Sequence, residues 1–294
     1  MGKASRRKKV NGPVKPALPV IPHVARPFEG LSIERELIAM REIIPAATLR
    51  ATLNKDYENR EITFVTVLPD AATAMVRADG EVLVALQTRS RTGDNSHDLG
   101  VAVEAALDHA KRVAAGEAQP AVISVDVRVA GPRIGDIVET WGEMEIHEDL
   151  AYWLVPGSAE SEEVQKAIEE SASELIPTKA IPGTQYTYWH DMNKIFVRWI
   201  RDEDETLLFS ALARIAAKEK LTLGHDSRFI GAFRAAGLSI PVFEFPGEVA
   251  AEDLTDAVNA LEKELAAALQ EKTPLSEDER RIRAGLVSRQ VSLR

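Results

Sequence analysis

Apolar residues recur at helical spacing in SIERELIAMREII, where Ile33, Leu37, Ile38, Met40 and Ile44 share a face. Ser32 suits an N-cap and Pro45 stops the helix. The period then drops to two. ATLRATL and EITFVTVLP read as strands separated by the turn-like NKDYENR. AATAMVRADGEVLVALQT sets two alternating runs around Asp79-Gly80, a dipeptide suited to a tight hairpin. The polar loop SRTGDNS leads into HDLGVAVEAALDHAKRVAAG, an amphipathic helix closed by Gly116. AVISVDVRVAG is predicted as a strand, PRIGDIVETW as a short helix or turn, and GEMEIHEDLAYWLV as a strand.

A second round follows. SAESEEVQKAIEESASELI predicts a helix ended by Pro177, and TQYTYWHDMNKIFVRWIRDED a hairpin turning near Asp191-Met192-Asn193. ETLLFSALARIAAKEK predicts a helix, DSRFIGAFRAAG a short helix capped by Asp226 or Ser227, and LSIPVFEF a strand. Two helices close the chain, the second opened by a capping box of Ser276 and Glu279. The fold class is therefore α+β. Each round runs helix, hairpin, helix, strand, and each first helix stops at Ile-Pro. That suggests a duplicated α+β unit with halves at 29–155 and 160–294. The alternative is one continuous α+β domain.

Charge changes the picture at the ends. Residues 1–28 hold Lys3, Arg6, Arg7, Lys8, Lys9, Lys15 and Arg26 with no acid, a net of +7. Residues 280–294 add five arginines, which leaves 24 bases against 46 acids between the two ends, a net of −22. An acidic body repels a phosphate backbone, whereas a short basic arm attracts one. Residues 1–28 are expected to be a disordered basic tail with a Pro-rich spacer. Five prolines within residues 13–27 argue against a secretion signal, and no apolar run is long enough to span a membrane. With no cysteine, a disulfide framework and thiolate chemistry are excluded, and a cytoplasmic location is expected.

Familiar nucleotide and hydrolase motifs are missing: no G-x-x-x-x-G-K-[ST], no G-x-G-x-x-G, no G-x-S-x-G and no H-E-x-x-H. Three of six histidines precede aspartate: His97-Asp98, His190-Asp191 and His225-Asp226. Converging, such pairs would bind a metal or serve as general bases. Locally, Asp98 and Asp226 stand where a helix cap belongs and Asp191 stands in a turn. The aromatic group Tyr186, Tyr188, Trp189, Phe196 and Trp199 is expected to fill a sheet core, with both tyrosines on one face and Trp189 on the other. Residues 206–236 also outline a helix-turn-helix that would present Arg228 and Arg234 to DNA, although the intervening turn is long.

The start MGKASRRKK, the segments RPFEGL, REIIPAAT and SRFIGAFRAAGLSIPVFEF, and the close RAGLVSRQVSLR together resemble an actinobacterial family of uncharacterised proteins, a domain of unknown function. The resemblance spans essentially the whole chain and implies no fold, activity or site residue. Some members carry topoisomerase II or SecA-related labels. The chain has no ATP-binding signature and no cysteine-rich zinc tail, and none of Tyr57, Tyr152, Tyr186 and Tyr188 follows an arginine.

The expectation is a non-catalytic cytoplasmic protein without a cofactor. Its basic arm (Lys3, Arg6, Arg7, Lys8, Lys9) contacts RNA or the ribosome and its body a protein partner. The alternatives are a metal-dependent hydrolase built on the His-Asp pairs, a ligand- or protein-binding module with a cleft between the halves, and DNA binding through residues 206–236.

Overall fold

The computed structural model describes residues 20–158 and 161–292. The first half runs α1 (Glu34–Glu42), β1 (Ala47–Leu53), β2 (Glu61–Val65), β3 (Ala74–Val76), β4 (Val82–Ala85), α2 (Asn95–Ala114), β5 (Ala121–Ile123), α3 (Ile134–Ile137) and β6 (Val138–Ile146). The second runs α4 (Glu162–Glu174), β7 (Thr178–Ala180), β8 (Thr187–Asp191), β9 (Ile195–Trp199), α5 (Glu205–Ala217), β10 (Arg228–Ala235), β11 (Leu238–Phe245), α6 (Thr255–Gln270), α7 (Glu277–Val287) and β12 (Gln290–Ser292). The protein is α+β, and no described helix is long and apolar enough to cross a membrane.

Each half builds one six-stranded sheet, in the orders β6-β1-β2-β4-β3-β5 and β7-β8-β9-β11-β10-β12. From the second strand onward the two orders follow the same chain sequence. The strand senses differ: β2 and β4 are parallel, whereas β9 and β11 are antiparallel. A helix enters the second sheet between β9 and β10, where the first has only a short turn. The shared order does not establish a duplication.

One correction removes the DNA-reading helix. Residues 228–235 form β10, which pairs with β11 around a two-residue turn at Ala236 (φ 45°) and Gly237 (φ 89°). The Ala-Ala-Gly that resembles a helix end supplies the positive-φ pair of a tight hairpin. The supposed cap residues Asp226 and Ser227 lie in the loop before it, and Arg228 and Arg234 are paired with Glu244 and Glu205. A second correction concerns AVISVDVRVAG. Only Ala121–Ile123 pairs as a strand, and beyond it the Val125 and Val127 amides donate to the hydroxyls of Thr73 and Ser90. A third concerns GEMEIHEDLAYWLV, whose strand ends at Ile146 and gives way to a 3₁₀ turn at Ala151–Trp153.

The halves share a core. Leu37, Ile38, Met40 and Ile44, in α1 and just beyond it, belong to one buried cluster with Leu49, Phe64 and Val84 of the first sheet. The same cluster includes Tyr188, Ile200, Leu238 and Ile240 from the second sheet and its margins. The other face of the second sheet buries Val197, Trp199 and Phe243 against Phe209, Leu212, Leu261 and Leu286 of α5, α6 and α7. Alternation along β8 decides which cluster each aromatic joins: Tyr188 packs toward α1 and Trp189 toward α5 and α6.

Candidate functional site

The seam opens into a cleft of about 710 Å³, walled by Arg41, Glu42, Arg91, Thr92, Gly93 and Asn95 from the first half and Arg234, Ala236 and Gly237 from the second. Its third wall is a strap, residues 23–27, that bridges the halves. Val24 donates to the Gly93 carbonyl at 2.8 Å, and Arg133 Nη2 reaches the Pro27 carbonyl at 2.8 Å. Both ends of the crossing require glycine. A Cβ at Gly93 would sit 2.8 Å from His23 Cα, and one at Gly237 would sit 2.7 Å from Arg26 Cβ. Arg26 completes the anchorage with two 2.7 Å bonds to the carboxylate of Glu34.

Arg41 is the central group. Its apolar neighbours in AMREII carry the helix into the core, so its guanidinium emerges with only 15% of the side chain exposed. Nη1 donates to the Leu86 carbonyl at 2.9 Å. Glu42 Oε1 lies 3.0 Å from Nε but off the N–H direction, so the contact is electrostatic and the buried Nε–H has no acceptor. Burial lowers the Arg41 pKa, Glu42 opposes that, and the neighbouring charge of Arg91 lowers it further. Arg91 is exposed and forms no ion pair among the described residues. Arg234 is occupied by Glu205, with Nε at 2.7 Å. The exposed His23 adds an imidazole ring to the lining.

Lys3, Arg6, Arg7, Lys8 and Lys9 lie outside the described residues. The three His-Asp pairs are not gathered: among the described residues no group of three or more His, Asp or Glu is placed to hold a metal ion. Each pair has its own local setting. The cap of α2 is Asp94, whose carboxylate accepts from the Ser96 and His97 amides. Asp98 sits one turn in, where it accepts from Thr92 N at 2.8 Å and Thr92 Oγ1 at 2.6 Å and so fixes one wall of the cleft. His97 is buried with Nε2 2.9 Å from the Val129 carbonyl, and its Nδ1 is 3.5 Å from Asp98. His225 and Asp226 form an exposed positive-φ turn.

His190 is fully buried, while Asp191 is exposed at the end of β8. The Thr178 hydroxyl donates to the Ile176 carbonyl, so at 2.9 Å it accepts the Nδ1–H of His190. Nε2 is then a buried acceptor without a partner. Burial, followed by the charge of Arg198, pushes the His190 pKa down to about 3.

Sequence reasoning passed over Arg41, Arg91 and the strap. The available signals were a lone arginine inside an apolar helix and a second one in the polar loop SRTGDNS. A model of a family of unknown function, DUF5926, matches residues 27–294. No curated protein and no solved structure matches the chain.

Proposed function

The chain belongs to the family of unknown function DUF5926, a membership that names no reaction, and we propose from the cleft itself that it is a non-catalytic binding protein for an anionic group, a phosphate or a carboxylate. The observation that carries this is Arg41. Its guanidinium has already lost most of its water, lies near a second cation and lines an open cleft. An anion placed there gains charge-assisted hydrogen bonds and relieves the repulsion between Arg41 and Arg91. Calorimetric titration with inorganic pyrophosphate and with succinate is the test. Binding of either, weakened at least about tenfold by Arg91→Ala, is the expected result. Because Arg91 is exposed, its loss spares the fold. No heat with either probe at millimolar concentration, or equal affinity in the variant, removes the reading.

A second reading keeps RNA or the ribosome as the partner of the basic arm, in the cytoplasm. It is supported by charge segregation and by the position of the strap: residues 23–27 line the cleft, so the arm joins the body beside Arg41 and Arg91. Ribosome co-sedimentation at low and moderate salt, with and without residues 1–12, tests it. Equal behaviour of the two proteins ends it.

A further inference from the structure

Among the seven α-helices of the described residues, α4 alone has no buried residue. It is nevertheless amphipathic. Val164, Ile168, Ala172 and Leu175 recur at helical spacing on one half-exposed stripe, and Ile176 continues it at 38% exposure. The remainder of α4 is acidic, with Glu162, Glu163, Glu169, Glu170 and Glu174 against Lys166 alone. Among the described residues its one ion pair is Lys166–Glu170 at 3.8 Å. No other described helix or strand makes more than a slight contact with it.

We propose that α4 is the docking surface for the chain's own basic leader, residues 1–19. The charges are complementary: the leader carries Lys3, Arg6, Arg7, Lys8, Lys9 and Lys15 with no acid, a net of +6, and α4 a net of −4. The apolar components match as well, since Val10, Val14 and Leu18 of the leader can cover the stripe of Val164, Ile168 and Leu175. Reach is sufficient. Nineteen extended residues span up to about 65 Å, whereas a 294-residue globule has a radius of gyration of about 19 Å. Measured from its junction at Val20, the leader is therefore longer than the body is wide. Exposed ion pairs contribute only tenths of a kcal/mol each, but the tether holds the leader at an effective millimolar concentration, so several together suffice. This inference goes beyond the cleft and is independent of it. It also constrains the RNA reading, because the same cations cannot face α4 and a phosphate backbone together, so an RNA-bound leader leaves α4 bare.

Hydrogen exchange read by mass spectrometry on the full chain tests the docking. Arg6→Glu, Arg7→Glu, Lys8→Glu and Lys9→Glu together are expected to speed α4 exchange on the order of tenfold while the sheets stay unchanged. Raising the salt from 50 to 500 mM does the same to the unaltered chain. Adding Glu169→Lys, Glu170→Lys and Glu174→Lys to the reversed leader, in the half of α4 where cations suit the helix dipole, restores slow exchange. Equal α4 exchange in the unaltered and leader-reversed chains overturns the proposal. So does protection that vanishes on dilution, which would assign the surface to a second copy.

Discussion

Replacing His190 by Asn should flatten the acid limb of the stability curve. The ring is fully buried, its Nδ1–H is held by Thr178 Oγ1, and its pKa in the fold lies at about 3. An unfolded histidine titrates near 6.5. Between those values the unfolded chain binds a proton that the folded chain refuses, so stability rises with pH across the window and is lost as pH falls through it. The full slope is about 1.4 kcal/mol per pH unit, which amounts to about 2 kcal/mol between pH 6.5 and pH 4.5. Asn keeps a donor where Nδ1–H stands and has no titration in this range. Urea denaturation of both proteins at pH 7.5, 6.5, 5.5 and 4.5 measures the difference. Carboxylates held below their ordinary range, such as Glu205 beside Arg234 and Asp79 beside Arg77, weaken both proteins in acid and cancel. The expected outcome is that the unaltered protein loses about 2 kcal/mol relative to the variant on going from pH 6.5 to 4.5. A constant gap across the series would mean that His190 accepts its proton inside the fold, and the assignment of Nε2 as a desolvated, unpartnered acceptor would be wrong.

Leu37→Ala removes a fully buried side chain from the cluster shared by the two sheets and should cost about 3 kcal/mol. Calorimetry should then show one transition shifted by several degrees, with near-ultraviolet signals from Trp141 and Trp199 moving together, whereas two separate transitions would refute a common core. Gly237→Ala combines a φ of +89° with a Cβ 2.7 Å from Arg26 Cβ, so denaturation should register a loss of about 2 kcal/mol. Exchange of residues 23–27 should quicken in that variant, and unchanged strap exchange would show that Gly237 does not seat it.

Much of the architecture was legible because local rules and tertiary packing agree. The alternation around Asp79-Gly80 gives β3 and β4, the run around Asn193 gives β8 and β9, and Ser276 with Glu279 makes the cap of α7 with bonds of 2.7 and 3.2 Å. The errors fall where one residue pattern serves two geometries. DSRFIGAFRAAG has alanines that suit a helix, yet its partners Ser239, Ile240 and Val242 on β11 make it a strand. An aspartate near a helix start suggests a cap, but the chain offers Asp94 and Asp98 four residues apart, and only the loop path at Thr92 distinguishes them. The cleft was hidden for another reason. His23, Arg41, Arg91 and Gly237 are joined only when the strap crosses the seam, and no spacing in the sequence encodes that meeting.

The shared cluster also orders events during synthesis. The apolar stripe of α1 emerges from the ribosome about 200 residues before Leu238 and Ile240 exist to cover it. Until the second sheet is made, only the first-half part of that cluster is there to cover the stripe. The core is therefore complete only when residues near the end of the described chain have joined residues near its start.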